Sequence, residues 1–164
     1  MDMPEARGNK VGTQCFVDVS HAVDKVTRRS QTSILIFMNK APIIFYSKKQ
    51  NSVERSTFGS EYTAMKQAVE LIKSFRFKLR MFGVPLEGPA NVYWDNEVVY
   101  KNVAMPPSVL SKKMHSVYNH FCWEAVAKEI IRIAKEDTIT NLADLFTKII
   151  TKHKRDGLLD RFMY

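Results

Sequence analysis

Four acidic residues stand where carboxylates could do hard-cation chemistry: Asp18, Glu61, Asp95 and Asp144. Asp18 interrupts the apolar run Cys15-Phe16-Val17-Asp18-Val19, and a carboxylate on a buried strand is costly to desolvate unless something pairs with it. Asp95 ends the short strand-like stretch Asn91-Val92-Tyr93-Trp94-Asp95, Glu61 lies in the first turns of a periodic helix, and Asp144 opens a last helix after Thr140-Asn141-Leu142-Ala143. Converging, the four would form a cage of oxygen ligands that suits Mg²⁺ or Mn²⁺, the footprint of metal-dependent phosphodiester chemistry. Taken singly, three of them have ordinary readings. Glu61 alone is a surface helix residue, Asp95-Asn96 a strand-to-helix cap, and Asp144 a first-turn residue favoured by the helix dipole. Asp18 resists such a reading because it splits an apolar strand.

Charge points the same way. The chain of 164 residues carries a formal net charge of +8. The excess is patchy: Lys25 to Arg29, Lys48-Lys49, Lys73 to Arg80, Lys112-Lys113 and Lys148 to Arg155. A basic domain with a hard-cation site suggests an anionic polymer as partner. Charge alone is equally consistent with a solvated cationic surface. Two cysteines, Cys15 in a strand and Cys122 in a helix, argue against a disulfide framework, so an intracellular location (cytoplasm or nucleus) is expected. No apolar run approaches a membrane span, and the N-terminus has no signal-peptide core.

The elements that must position the acids follow from periodicity. Residues 14 to 19 read as a first strand, Ile34 to Met38 as a second and Ala41 to Ser47 as a third, with Asn39-Lys40 as a tight turn. Pro42 argues for an edge position. A helix is expected from about Thr57 to Met81, with Phe58, Tyr62, Met65, Val69, Ile72, Phe75 and Leu79 inward and Glu61 one residue off that stripe. A fourth strand at Val92 to Trp94 precedes a short helix, Asn96 to Val103, and a longer one, Ser108 to Lys128, with Leu110, Met114, Val117, Phe121 and Ala125 inward. Ile130 to Ala134 is a fifth strand, and Asn141 to about Ile150 a final helix. The order β-β-β-α-β-α-α-β-α gives an α/β fold with a mixed five-stranded sheet and helices on both faces. Residues 1–12 read as a linker, 13–150 as the domain and 151–164 as a basic C-terminal tail.

At this point the chain resembles the ribonuclease H domain that closes the Pol polyprotein of Ty1/copia-type LTR retrotransposons. The matching stretches are Phe16-Val17-Asp18-Val19-Ser20-His21-Ala22, Asp24-Lys25-Val26-Thr27-Arg28-Arg29-Ser30, Tyr46-Ser47-Lys48-Lys49-Gln50 and Ser56-Thr57-Phe58-Gly59-Ser60-Glu61-Tyr62. Asp95-Asn96, Lys113-Met114-His115 with His120, Glu124-Ala125-Val126 and Ala143-Asp144-Leu145-Phe146-Thr147-Lys148 follow in the same order. The resemblance implies a ribonuclease H-like fold and metal-dependent cleavage of the RNA strand of RNA–DNA hybrids. It makes Asp18, Glu61, Asp95 and Asp144 catalytic ligands of two Mg²⁺ ions, which Mn²⁺ can replace. Arg28, Arg29, Lys48 and Lys49 become phosphate contacts and His115 a substrate-side or structural residue. Reverse transcriptase or integrase portions of the same polyprotein are the implied protein partners.

Some positions depart from that pattern. Ser20 stands where a second Asp or Asn is common, Ser33 where Gly is frequent, Trp94 where a smaller residue is usual and Trp123 where Arg is common. None removes a metal ligand, but Trp94 is expected to crowd the site and Trp123 to remove a basic contact. No reverse transcriptase precedes the domain, so an excised domain or a truncated copy is expected. The alternative reading is a catalytically weak or inactive nucleic-acid-binding domain of a degenerate or domesticated copy. Asp144, at a helix start, is expected to be the most exposed and least critical of the four acids.

Overall fold

The computed structural model describes residues 4–97, 101 and 113–162, except the side chains of 113–115 and 162. Three strands come first: β1 (Thr13–Ser20), β2 (Gln31–Met38) and β3 (Ala41–Lys49). Then come α1 (Thr57–Met81), β4 (Ala90–Trp94), α2 (Lys113–Ala127), β5 (Ile131–Lys135), a 3-10 helix (Leu142–Phe146) and α3 (Lys152–Phe162). The sheet runs β3-β2-β1-β4-β5. β2 pairs antiparallel with both β1 and β3, while β1–β4 and β4–β5 are parallel. This is the mixed five-stranded sheet expected from the sequence. Pro42 does lie on an edge strand, beside a register shift at Ile36/Phe37. Asn39 turns the hairpin at φ 55°.

Alternation on the strands builds two unequal layers. Cys15, Val17 and Val19 join Ile34, Ile36, Val92 and Trp94 on one face, against Tyr62, Met65, Val69 and Ile72 of α1 and Cys122 and Ala125 of α2. Phe16, Leu35 and Phe37 face the other way, against Leu142, Ala143 and Leu158. There the Phe16 ring stacks on Tyr93 at 4.7 Å.

α1 has the expected bounds. Ser56 caps it by accepting the Gly59 N–H at 3.2 Å, a contact worth about 1 kcal/mol. At its far end the buried Arg76 donates to Thr13 Oγ1 (2.9 Å) and the Gly88 carbonyl (2.7 Å). These bonds tie the helix to the starts of β1 and β4.

Several expectations need correction. α2 is turned from its expected phase: Tyr118, Phe121, Cys122 and Ala125 face the core, and Val117 is exposed. Leu110, the Met114 side chain and most of the short helix expected from Asn96 to Val103 lie outside the described residues. The helix expected over 141–150 is a single 3-10 helix, because Ile149-Ile150-Thr151 is a β-branched run of low helix propensity. A further helix starts at Lys152 within the expected basic tail, with Leu158 buried. Residues 7–11 are tied down too: Arg7 N–H donates to the Gly83 carbonyl and Val11 N–H to that of Pro85.

Candidate metal centre and nucleic-acid interface

The parallel pair β1–β4 sets the position of two acids. Phe16 is level with Tyr93, and continuing that register two residues brings Asp18 level with Asp95, just past the end of β4. Each comes two residues after a ring that faces the thin layer, Phe16 or Tyr93, and this is where the third acid arrives. Asn141 is fully buried: its side chain accepts the Ala143 N–H at 3.1 Å and donates to the Val17 carbonyl at 3.0 Å. The first caps the 3-10 helix and the second staples it to β1, which sets Asp144 beside Asp18. Asp18, Asp95 and Asp144 each offer an oxygen, all within 4.8 Å of one another. Asp144 has no exposed surface, which reverses its expected exposure.

Glu61 reaches the same end of the sheet from the opposite face. It lines an open cleft of about 400 Å³ with Asp18, Asp95, Asn96, Glu97 and Lys148, although its oxygens are not among the gathered three. Its side chain is 7% exposed, and Oε2 has no hydrogen-bond partner among the described residues. Burial pushes the Glu61 carboxyl up to about 8; the charges of Asp95 and Asp18 add to this, while the Asn96 side chain and the Trp94 indole oppose it. Trp94 Nε1 has no hydrogen-bond partner among the described residues, so the indole biases Glu61 as a nearby dipole rather than as a full donor. Asp95 is raised too, by burial and then by the charge of Asp18. Trp94 does not crowd the three aspartates, because it is buried in the thick layer on the other side of the sheet.

Two lysines and a threonine meet the gathered acids. Lys148 Nζ lies 3.0 Å from Asp18 Oδ1 and 2.7 Å from Asp144 Oδ1. Lys154, from α3, lies 2.6 Å from Asp144 Oδ2 and donates to the Thr138 carbonyl at 3.0 Å. Thr147 Oγ1 donates to Asp18 Oδ2. Burial alone would lower the pKa of Lys148, but hydrogen bonds to Asp144 and Asp18 and their charges raise it. In sequence these lysines read only as part of a basic patch; their closeness to the acids has no local signal beyond the four-residue spacing of Asp144 and Lys148.

The expected phosphate contacts gather at the same end of the sheet, where β1 and β3 end and β2 begins. Arg28 and Arg29 are exposed in the turn from β1 to β2, with Arg28 at φ 55°. Lys48 and Lys49 are exposed and belong to the end of β3. Lys49 already pairs with Asp24 at 2.5 Å. His21, which sequence reasoning left without a role, bridges this turn to α1 through Ser30 Oγ and Ser60 Oγ. The His115 side chain lies outside the described residues. Trp123 is an exposed surface aromatic, edge-on to His120. Cys15 and Cys122 are free and buried.

The donor set is all carboxylate oxygen, three of the acids converge, and buried Glu61 Oε2 has no hydrogen-bond partner among the described residues. This cluster can hold a divalent cation. Among the described residues, no helix is long and apolar enough to cross a membrane.

No family model matches the chain. It is 26% identical over 146 residues, 89% of its length, to the retrovirus-related Pol polyprotein from transposon RE1 of Arabidopsis thaliana. To the corresponding polyprotein from transposon RE2 of the same plant it is 25% identical over 146 residues. The chain spans 10% of the length of each of these relatives. Among solved structures it is similar to LC11-RNase H1 in complex with an RNA/DNA hybrid, with a TM-score of 0.62 and 13% identity over 82% of this chain and 92% of that one. It is also similar to the N-terminal RNase H domain of a Mycobacterium tuberculosis protein, with a TM-score of 0.60 and 10% identity over 93% of this chain and 96% of that one. RNase H1 from Halobacterium salinarum gives a TM-score of 0.57 at 13% identity, over 90% of this chain and 97% of that one.

Proposed function

We propose that this chain, a ribonuclease H fold related to retrotransposon Pol polyproteins, hydrolyses the RNA strand of RNA–DNA hybrids with divalent metal. The observation that carries the reading is the meeting of Asp18, Asp95 and Asp144 beside a cleft that Asp18, Asp95 and Glu61 line. Asp18, Asp95, Asp144 and Glu61 would hold two Mg²⁺ ions, or Mn²⁺ in their place. Bound there, the metal supplies a water of lowered pKa and charge neutralisation at the leaving 3′ oxygen. The chain's own residues do the rest. Buried Asp18 and Asp144 and half-buried Asp95 would hold their oxygens in place, so little reorganisation would accompany reaction. Arg28, Arg29, Lys48 and Lys49 flank the cleft end of the sheet and would bind backbone phosphate, setting the register of the hybrid without reading its sequence. The Ty1/copia type, a Pol context alongside reverse transcriptase or integrase, and an intracellular or particle-bound setting belong to the same reading.

One observation favours a second reading, a domain that binds nucleic acid without cutting it. Lys148 and Lys154 already neutralise Asp18 and Asp144. One assay decides between the two: labelled RNA–DNA hybrid, RNA duplex and DNA duplex, each with Mg²⁺, Mn²⁺ or EDTA. Cleavage confined to the RNA strand of the hybrid and abolished by EDTA is expected. Retained hybrid binding without cleavage in either metal would establish the binding-only reading.

A further inference from the structure

The two lysines on the acid cluster are placed differently. Lys154 is anchored from outside: it holds Asp144 Oδ2 and the Thr138 carbonyl, and it does not line the cleft. Lys148 lines the cleft and bridges the Oδ1 atoms of Asp18 and Asp144. Its ammonium therefore sits between two of the three aspartates whose oxygens gather within 4.8 Å. We propose that Lys148 is a resident counter-cation which must leave before the cluster can take a divalent ion, while Lys154 is a fixed counter-charge that stays. This inference rests on the metal-site reading above and adds a competition to it.

The physical case is one of shared ligands. Two buried carboxylates that lacked a cation would carry an uncompensated desolvation cost. Lys148 removes it in the metal-free fold, at a position a divalent ion would also need. Its side chain is 34% exposed, and it rises from a residue just past the 3-10 helix. It can therefore swing toward solvent without disturbing the sheet, and its freed ammonium would remain on the cleft wall. Lys154 has no such freedom, because leaving would strip a backbone carbonyl of its partner as well as Asp144. Lys148 thus acts through the aspartates as a positioning residue, lowering apparent metal affinity while keeping the acids together.

The test is Mn²⁺ binding to the intact chain by titration calorimetry, without nucleic acid. Wild type, Lys148→Met and Lys154→Met are compared, with Lys148→Gln as a second variant if Lys148→Met fails to fold. Removing the competitor should tighten Mn²⁺ by about tenfold or more, because ligand release no longer opposes binding. Lys154→Met removes the same charge from outside and should gain clearly less. Equal gains from the two variants would reduce the effect to general charge and overturn the inference. Unchanged or weaker binding in Lys148→Met would overturn it as well. Hybrid cleavage by wild type, measured separately, distinguishes the two ideas. Cleavage with no difference between the lysine variants sinks the competition alone. The tenfold pattern without cleavage sinks the nuclease reading alone. Absence of Mn²⁺ binding in all three proteins sinks both.

Discussion

The two faces of the sheet hold their acids by opposite means. On the thick face, Glu61 rides on a 25-residue helix fixed by apolar burial, and its inner oxygen has no hydrogen-bond partner among the described residues. On the thin face, Asp144 rides on a five-residue 3-10 helix fixed by the Asn141 staple, with lysines on both of its oxygens. Hydrophobic packing is non-directional and can hold a carboxyl in place without satisfying it. The thin apolar layer has less such reserve, so there Asp18 and Asp144 are each matched by specific partners.

The largest test of this contrast is catalytic. Asn keeps the size of Asp but removes the charge that binds a cation. Asp18→Asn and Asp95→Asn should lower hybrid cleavage by roughly a thousandfold or more at saturating substrate. Asp144→Asn should be as severe, because that side chain is fully buried among its partners. Hybrid binding should survive in all three variants. A mild Asp144→Asn beside a severe Asp18→Asn would remove the thin layer from the working site.

The next test is stability. Ile72, 1% exposed in the thick core, should cost about 3 to 4 kcal/mol when truncated to Ala, and Leu158 under the thin layer about 2 kcal/mol. Urea denaturation measures both. At concentrations where both variants remain folded, only Leu158→Ala should change the response to Mn²⁺, since α3 carries Lys154. Equal metal responses would show that the thin layer does not tune the site.

A smaller effect should appear with pH. The Glu61 pKa is raised from an ordinary 4.5 to about 8 in the fold. Its stabilising contribution is therefore complete below pH 4.5 and is lost as pH rises through about 8. Without metal, the Glu61 term should remove about 2 kcal/mol between pH 5 and 8, less than the full shift would allow, because the cleft admits water. Glu61→Gln should flatten that part of the profile and raise the metal-free melting temperature at pH 8. An unchanged slope in the variant would place the titration elsewhere. Asp18→Asn should not stabilise the protein in the same way, because Asp18 is already paired with Lys148 and Thr147.

The smallest effect concerns substrate. Replacing Lys48 and Lys49 by Ala should weaken hybrid binding and flatten the dependence of log affinity on log salt by about one unit, since Lys49 is partly committed to Asp24. Filter binding at several salt concentrations measures it. An unchanged slope would show that this strand end does not touch phosphate.

Local pattern carried most of the frame. The run Cys15-Phe16-Val17-Asp18-Val19 announces a strand with a misplaced charge, and seven apolar positions define α1 to the residue, because period-2 and period-3.6 burial are imposed by the backbone itself. It could not fix the phase of α2, where Tyr118 and Cys122 displace Val117 from the core, since a broad apolar face leaves rotation to the partner helix. Nor could it show that the segment after Ile150 folds back as α3, because Lys152 to Arg155 looks like any solvated basic run. The four acids were legible by type and spacing. That three gather from one face while Glu61 arrives from the other was decided by the β1–β4 register and by Asn141 reaching Val17, contacts across 124 residues of sequence in the second case. The partners of the acids were the least legible of all. Whether a lysine faces solvent or a buried carboxylate depends on the electrostatic cost of leaving that carboxylate bare, and only the folded chain sets that cost.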